Sequence, residues 1–266
     1  MKTLVVIPAR FASVRYPGKP LVELRGATGK SKSLIQRSWE AATGVTGVDR
    51  VIVATDDDRI AQKAKSFGAE VVFTSSDCRN GTERCAEALD RIGGGFDTVV
   101  NLQGDAPLTP PWFIEQLVSA LQADEAAVIA TPVLRCDGAA LGGLLNDRRA
   151  GRVGGTTAVF DRNMRGLYFS KEVIPFTSGR FEDDEPTPVF HHVGVYAYRP
   201  DGLRAYPSWP IGPLEKLEGL EQLRFLEQGR PVLCVEVDAR GRKFWELNNP
   251  EDVPTLEAMM AGMGME

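Results

Sequence analysis

The sequence of 266 residues predicts an α/β protein with a mostly parallel sheet covered by helices on both faces. Three observations carry that prediction. Apolar, β-branched runs recur through the first half, amphipathic segments separate them, and those segments close on glycine. A strand buried on both faces is an unbroken apolar run, whereas a half-exposed strand alternates polar and apolar residues. With 43% hydrophobic and 25% charged residues, the chain can bury the core of one large domain.

The elements follow in order. TLVVIPA (3–9) is a first strand, and SLIQRSWEAATG (33–44) has helical spacing. DRVIVATD (49–56) is a second strand, followed by a helix over DRIAQKAKSFG (58–68). EVVFTS (70–75) is a third strand, TERCAEALDRIGGG (82–95) a helix and DTVVNLQGD (97–105) a fourth strand. The second half is less regular. Strands are predicted at AVIATPVL (127–134), GTTAVFD (155–161), GLYFS (166–170), HVGVYAYR (192–199) and PVLCVEVD (231–238), and one helix at PLEKLEGLEQLRFLEQG (213–229). Residues 135–155 and 176–189, rich in Gly, Pro and charge, read as exposed loops. The whole, 1–266, is one domain: a ligand-binding half over about 1–134 and an added lobe over about 135–266.

Bulk properties narrow the function. A net charge of -5 argues against a general nucleic-acid binder. The cysteines at 78, 85, 136 and 234 form no CxxC pair, and the only histidines are the adjacent His191 and His192, so neither structural zinc nor a disulfide framework is expected. A strand beginning at residue 3 leaves no room for a signal peptide, and no apolar run reaches membrane-spanning length. These features point to the cytoplasm.

Open parallel sheets bind ligands at the carboxyl ends of their strands. Arg10, Asp56, Thr74 and Asp105 all fall at such ends. Arg10, Arg15 and Lys19 follow the first strand on a loop stiffened by glycine and proline, an arrangement that suits a polyphosphate. RGATGKSKS (25–33) is no Walker loop, because Leu24 stands where the first glycine belongs; it reads as a solvated turn. In LQGDAP (102–107), Asp105 is either a turn former or a Mg²⁺ ligand shared with phosphates. In RNGTER (79–84), Thr82 suits an N-cap, and Gly81 suits close approach to a nucleotide. His191 and His192 begin a strand and face opposite ways. Glu215 and Gln222 are seven apart and share a face of the predicted helix.

IPARFASVRYPGKPL, VIVATDD, NGTERCAEAL, VNLQGDAP, LYFSKEVIPF, HHVGVYAYR, PLEKLEGLEQLRFL and NNPEDV, in this order, resemble the 3-deoxy-manno-octulosonate cytidylyltransferase (CMP-Kdo synthetase) family from residue 3 to about 255. The resemblance implies a three-layer α/β nucleotide-diphospho-sugar transferase fold, Rossmann-like, with an added acceptor and dimerisation lobe. It implies transfer of CMP from CTP to the anomeric hydroxyl of a 3-deoxy-2-ulosonic acid, with Mg²⁺ and a homodimer. Ala9, Arg10, Arg15, Lys19, Gly81, Thr82 and Arg84 would bind the nucleotide, with Arg10, Lys19 and Asp105 in catalysis. Gln103, His192, Tyr196, Glu215 and Gln222 would bind the sugar acid, and Asp105 and Asn248 the metal.

The chain departs from the family pattern at Ala106, Thr157, His191, Lys216 and Asn248. Asn248 replaces a metal-binding aspartate; its carbonyl can still ligate Mg²⁺, but the site loses one unit of charge. Two other readings stay open: a variant acceptor, such as an amino-octulosonate or a nine-carbon ulosonic acid, and a non-catalytic nucleotide-binding paralogue.

Overall fold

The computed structural model describes residues 1–12, 16–153, 155–242, 245–247 and 249–266. Its strands are β1 (Thr3–Ala9), β2 (Glu23–Arg25), β3 (Ser31–Ser33), β4 (Arg50–Thr55), β5 (Glu70–Phe73), β6 (Thr98–Leu102), β7 (Ile129–Asp137), β8 (Thr156–Phe160), β9 (Gly166–Ser170), β10 (Pro186–His192), β11 (Val195–Tyr198) and β12 (Val232–Glu236). Its helices are α1 (Leu34–Thr43), α2 (Asp58–Ser66), α3 (Gly81–Arg91), α4 (Pro111–Ala123), α5 (Gly138–Arg149), α6 (Pro200–Ala205), α7 (Pro213–Glu218), α8 (Leu223–Glu227) and α9 (Asp252–Gly262).

The apolar run of β1 is buried along its whole length, and strand geometry divides it between two layers. Val5, Ile7 and Ala9 pack with Ile35 of α1, Ile60 of α2 and Phe113 of α4. Leu4 and Val6 pack on the other side with Cys85 and Leu89 of α3 and Phe225 of α8. The result is helix, sheet, helix.

β5, β4, β1 and β6 are parallel neighbours, as the sequence predicts. β11 then pairs antiparallel with both β6 and β7, and β12 pairs parallel with β7. β10 pairs antiparallel with β7 and β8, and β8 with β9. In direction, β4, β5, β6, β7, β8 and β12 therefore follow β1, while β9, β10 and β11 oppose it. A bridge from Arg165 to Leu233 brings the start of β9 back against β12, which shields the far edge.

Five expectations change. Of the stretch expected as a loop at 135–155, residues 135–149 are regular: β7 runs on to Asp137, and α5 follows to Arg149, with the Asp137 carboxylate accepting from the Ala140 N–H at 2.7 Å. The glycines of this stretch masked an apolar face, where Leu141, Leu144 and Leu145 pack with Val189. The segment 176–189 already includes the start of β10. The helix over 213–229 is two short helices, because Gly219 caps α7 in the left-handed region at φ 64. His191 and His192 end β10 rather than begin a strand. Residues 25–33 prove to be the β2–β3 hairpin and its turn.

Candidate active site

The carboxyl ends of β1 and β6 open into a cleft of about 520 Å³. Ala9 and Arg10 enter it from β1, with Lys19 and Pro20 from the loop that follows. The Arg59 guanidinium of α2 lies 3.3 Å from the centre of the Phe11 ring and pins the chain just beyond Arg10. Gln103, Gly104 and Asp105 line the floor. The Lys19 ammonium sits 2.6 Å from Asp105 Oδ2. Arg10 and Asp105 thus share one cleft, the arrangement on which a polyphosphate site depends. Arg15 and Asn248 lie outside the described residues.

The opposite wall is the start of α3. Asn80, not Thr82, is its N-cap; Asn80 Oδ1 accepts from the Glu83 N–H at 2.9 Å. Gly81 faces the cleft so closely that a Cβ there would lie 2.8 Å from Gln103 Nε2. The Arg84 guanidinium donates to Thr74 Oγ1 and lies 3.3 Å from Asp56 Oδ2. Arg84 thus gathers the ends of β4 and β5 and lines the cleft, whereas Asp56 and Thr74, expected in the crevice itself, do not line it and reach it only through Arg84.

The third wall comes from the break between α7 and α8. Gly219, Leu220, Glu221 and Gln222 line the cleft with Tyr196 and Gly194 of the β10–β11 junction. The Tyr196 hydroxyl donates to Gln222 Oε1 at 3.0 Å. That leaves the buried Gln222 Nε2 without a partner among the described residues. A buried amide with a spare donor is a costly feature that a ligand oxygen would satisfy. Glu221 accepts from Gln103 Nε2 at 2.8 Å and from the Thr82 N–H at 2.9 Å. Burial raises its carboxyl above the ordinary value against the pull of the Thr82 bonds.

Three expected contacts fall elsewhere. The Thr82 side chain is buried against the Tyr198 hydroxyl at 2.8 Å, away from the cleft. Glu215 is buried in a two-bond ion pair with Arg224, both contacts 2.6 Å, and Arg224 also holds Glu83 at 3.0 Å. That network ties α3, α7 and α8 together under the cleft floor. His192 is buried between Thr131 Oγ1 at 2.9 Å and Thr156 Oγ1 at 3.1 Å, edge-on to Phe169. Alternation along β10 puts the ring on the same side as Phe190, in the core beside Tyr196. Thr157, a departure from the family pattern, is likewise buried and donates to the Glu172 carbonyl at 2.7 Å. Reading the sequence alone missed Glu221 and Glu246, which both line the cleft.

The cleft suits a hard cation. A lysine ammonium already rests on Asp105, and the Asp105 and Glu246 carboxylates and the Gln103 amide are oxygen donors. No group of three or more His, Cys, Asp or Glu that could hold a metal ion occurs among the described residues. Such an ion would therefore complete its shell with substrate oxygens, which is the habit of Mg²⁺.

The comparisons with known proteins agree with this geometry. The cytidylyltransferase family model matches residues 4–236. A 3-deoxy-manno-octulosonate cytidylyltransferase of Maricaulis maris is 44% identical over 264 residues, covering 99% of both chains. The chain belongs to the 3-deoxy-manno-octulosonate cytidylyltransferase family. The mitochondrial enzyme of that name from Arabidopsis thaliana is 39% identical, over 98% of this chain and 83% of its own. Among solved structures, a CMP:2-keto-3-deoxy-manno-octonic acid synthetase complexed with CTP superposes with a TM-score of 0.82 at 32% identity, covering 99% of this chain and 100% of its own. As a cytidylyltransferase of this family the chain is an enzyme, so the reading as a non-catalytic paralogue falls.

Proposed function

We propose that this enzyme transfers CMP from CTP to the anomeric hydroxyl of 3-deoxy-manno-octulosonate and releases pyrophosphate. The observation that carries the reading is the single cleft shared by Arg10, Lys19, Asp105 and the Gln103–Glu221–Gln222 wall. The hydroxyl oxygen forms a bond to the α-phosphorus as the bond to the bridging oxygen of pyrophosphate breaks. The hydroxyl proton goes to solvent, and two electrons of the broken bond leave with pyrophosphate. Arg10, Arg15 and Lys19 neutralise the phosphates, so the anionic nucleophile's approach costs less. The N-terminus of α3, with Ala9, Gly81 and Arg84, faces the nucleoside end, and Thr82 supports it from behind.

Gln222 Nε2, the Tyr196 hydroxyl and Gln103 point hydrogen-bonding groups at the acceptor's carboxylate and hydroxyls. His192 and Glu215 act through packing: His192 seats Tyr196, and Glu215 fixes the helix break that presents Glu221 and Gln222. Asp105 would hold Mg²⁺, with phosphate oxygens completing its shell. When bound, the ion supplies charge that lowers the hydroxyl's pKa and steadies the transition state. With such an ion on Asp105, the Lys19 ammonium would be free to pair with a phosphate.

The same reading places the enzyme in the cytoplasm, for lipopolysaccharide or surface-polysaccharide synthesis, with all four cysteines as thiols. No helix among the described residues is long and apolar enough to cross a membrane. It also has the enzyme paired as a homodimer, because the added lobe leaves Leu167, Phe176 and Leu217 exposed at 63%, 90% and 82%.

The test combines a nucleotide and acceptor panel, read by pyrophosphate release, with Asp105→Asn. We expect turnover with CTP and 3-deoxy-manno-octulosonate to exceed that with other pairs. Asp105→Asn should lower kcat at least a hundredfold with the fold intact. Preference for an amino-octulosonate or nine-carbon acid would establish the variant-acceptor reading instead, and full activity of Asp105→Asn would end the metal assignment.

A further inference from the structure

We propose that Glu246 supplies the second carboxylate of the divalent-cation site, the charge that Asn248 lacks. The proposal rests on the metal-dependent reading above and extends it to a residue two positions along the chain. Asp105 alone sets one negative charge against a divalent ion; Asp105 with Glu246 sets two.

The backbone carries the first part of the argument. The Leu247 N–H donates to the Asp105 carbonyl at 2.9 Å, so the two segments are joined at the residue between Glu246 and Asn248. The Leu247 side chain is fully buried in a cluster with Leu24, Leu34, Leu108, Leu256 and Met260. That anchor sets the residue before it at the cleft, and Glu246 is one of the lining residues.

Side-chain geometry carries the second part. A methyl group built on Gly194 would lie 3.5 Å from Glu246 Oε1 and 3.9 Å from Gln103 Cγ. Glu246 and Gln103 therefore flank one small patch of wall, and Asp105 follows two residues after Gln103. The buried Tyr196 hydroxyl is held above its ordinary pKa by desolvation first, then by the charges of Glu221, Glu246, Tyr206 and Asp105. Glu246 and Asp105 thus act on the same point of the cleft. Two independent features mark that cleft as a ligand site. The Lys19 ammonium already sits against Asp105, and the amide nitrogen of Gln222, 1% exposed, has no partner among the described residues.

The experiment measures Mn²⁺ binding by electron paramagnetic resonance, with CTP present and no acceptor. Wild type is compared with Glu246→Gln, Asp105→Asn, Asn248→Asp and the double variant Glu246→Gln/Asn248→Asp, each checked by a thermal melt. Gln keeps the volume of Glu, and Glu246→Asp replaces it should Glu246→Gln fail to fold. We expect Glu246→Gln to weaken Mn²⁺ at least tenfold and the double variant to return to within about threefold of wild type. Wild-type affinity in Glu246→Gln, with loss in Asp105→Asn, would overturn this inference and leave the metal reading standing. Wild-type affinity in both would overturn the metal reading and this inference with it. Loss in Glu246→Gln without recovery in the double variant would also overturn the exchange of one carboxylate for the other.

Discussion

His192 sits between two hydroxyls and two aromatic rings, with no carboxylate against it among the described residues. Burial, and then the neighbouring His191, bring its pKa down to about 3 from the ordinary 6.5. The folded protein therefore keeps it neutral while the unfolded chain takes up a proton below about pH 6.5. Stability is complete above that value and falls as the pH drops toward the folded pKa, at up to ~1.36 kcal/mol per pH unit from this group. Denaturant midpoints measured between about pH 7 and pH 5 should fall less steeply in His192→Asn than in wild type. Parallel slopes would mean that the ring gains a proton without penalty. The same burial explains why His192 could be found in the sequence yet given the wrong surroundings: residue type was visible, but the side of the strand was not. Thr82 and Glu215 went the same way: the partner of Thr82, Tyr198, lies far along the chain, and that of Glu215, Arg224, lies beyond the helix break at Gly219.

Among the elements, the segment after β12 depends most on a single apolar anchor. Leu247 fills the space between the β2–β3 hairpin, α1 and α9, while Trp245 Nε1 donates to Asp252 Oδ1 at 3.2 Å beyond it. On the near side, Arg240 and Arg242 lie 4.7 and 4.8 Å from the Trp112 ring of α4. Leu247→Ala should therefore cost about 2–5 kcal/mol, from lost transfer energy plus the cavity left behind. The same variant should raise the Mg²⁺ concentration needed for half-maximal rate, because Glu246 loses its fixed neighbour. Guanidinium denaturation and a Mg²⁺ titration check both, and a loss below about 1 kcal/mol would show that the cluster collapses freely. The break at Gly219 is the other decisive element. A helix continued through it would leave Glu215 and Gln222 on one face, as the spacing predicts; the left-handed glycine instead buries one and turns the other into the cleft.

In the whole molecule the two halves share strands rather than a boundary. β11, from the added lobe, lies between β6 and β7, so the cleft floor and the acceptor wall are joined by backbone hydrogen bonds. That sharing keeps Tyr196 in register with Asn101 and Gln103 near Gly81. The lobe also presents Leu167, Phe176 and Leu217 outward, apolar area that water disfavours and that the proposed homodimer would cover. Light scattering should give twice the 29.0 kDa of the chain. Phe176→Ser combined with Leu217→Ser should shift the mass toward one chain, and an unaltered dimer would place the interface elsewhere.

The parallel half, its strand ends and the cation loop were legible in the sequence because burial on both faces writes itself as unbroken apolar runs, a local pattern. Arg10, Lys19, Gly81 and Asp105 could be found that way, Arg84, Gln103, Tyr196 and Gln222 through the family resemblance, and all meet in one cleft. The α5 helix, the break at Gly219, the inward turn of Thr82, Glu215 and His192, and the arrival of Glu221 and Glu246 were decided only by tertiary structure. The inward turns of Thr82 and His192 and the place of Glu221 depend on which partner stands opposite, and those partners, scores of residues away, leave no periodic trace in the chain.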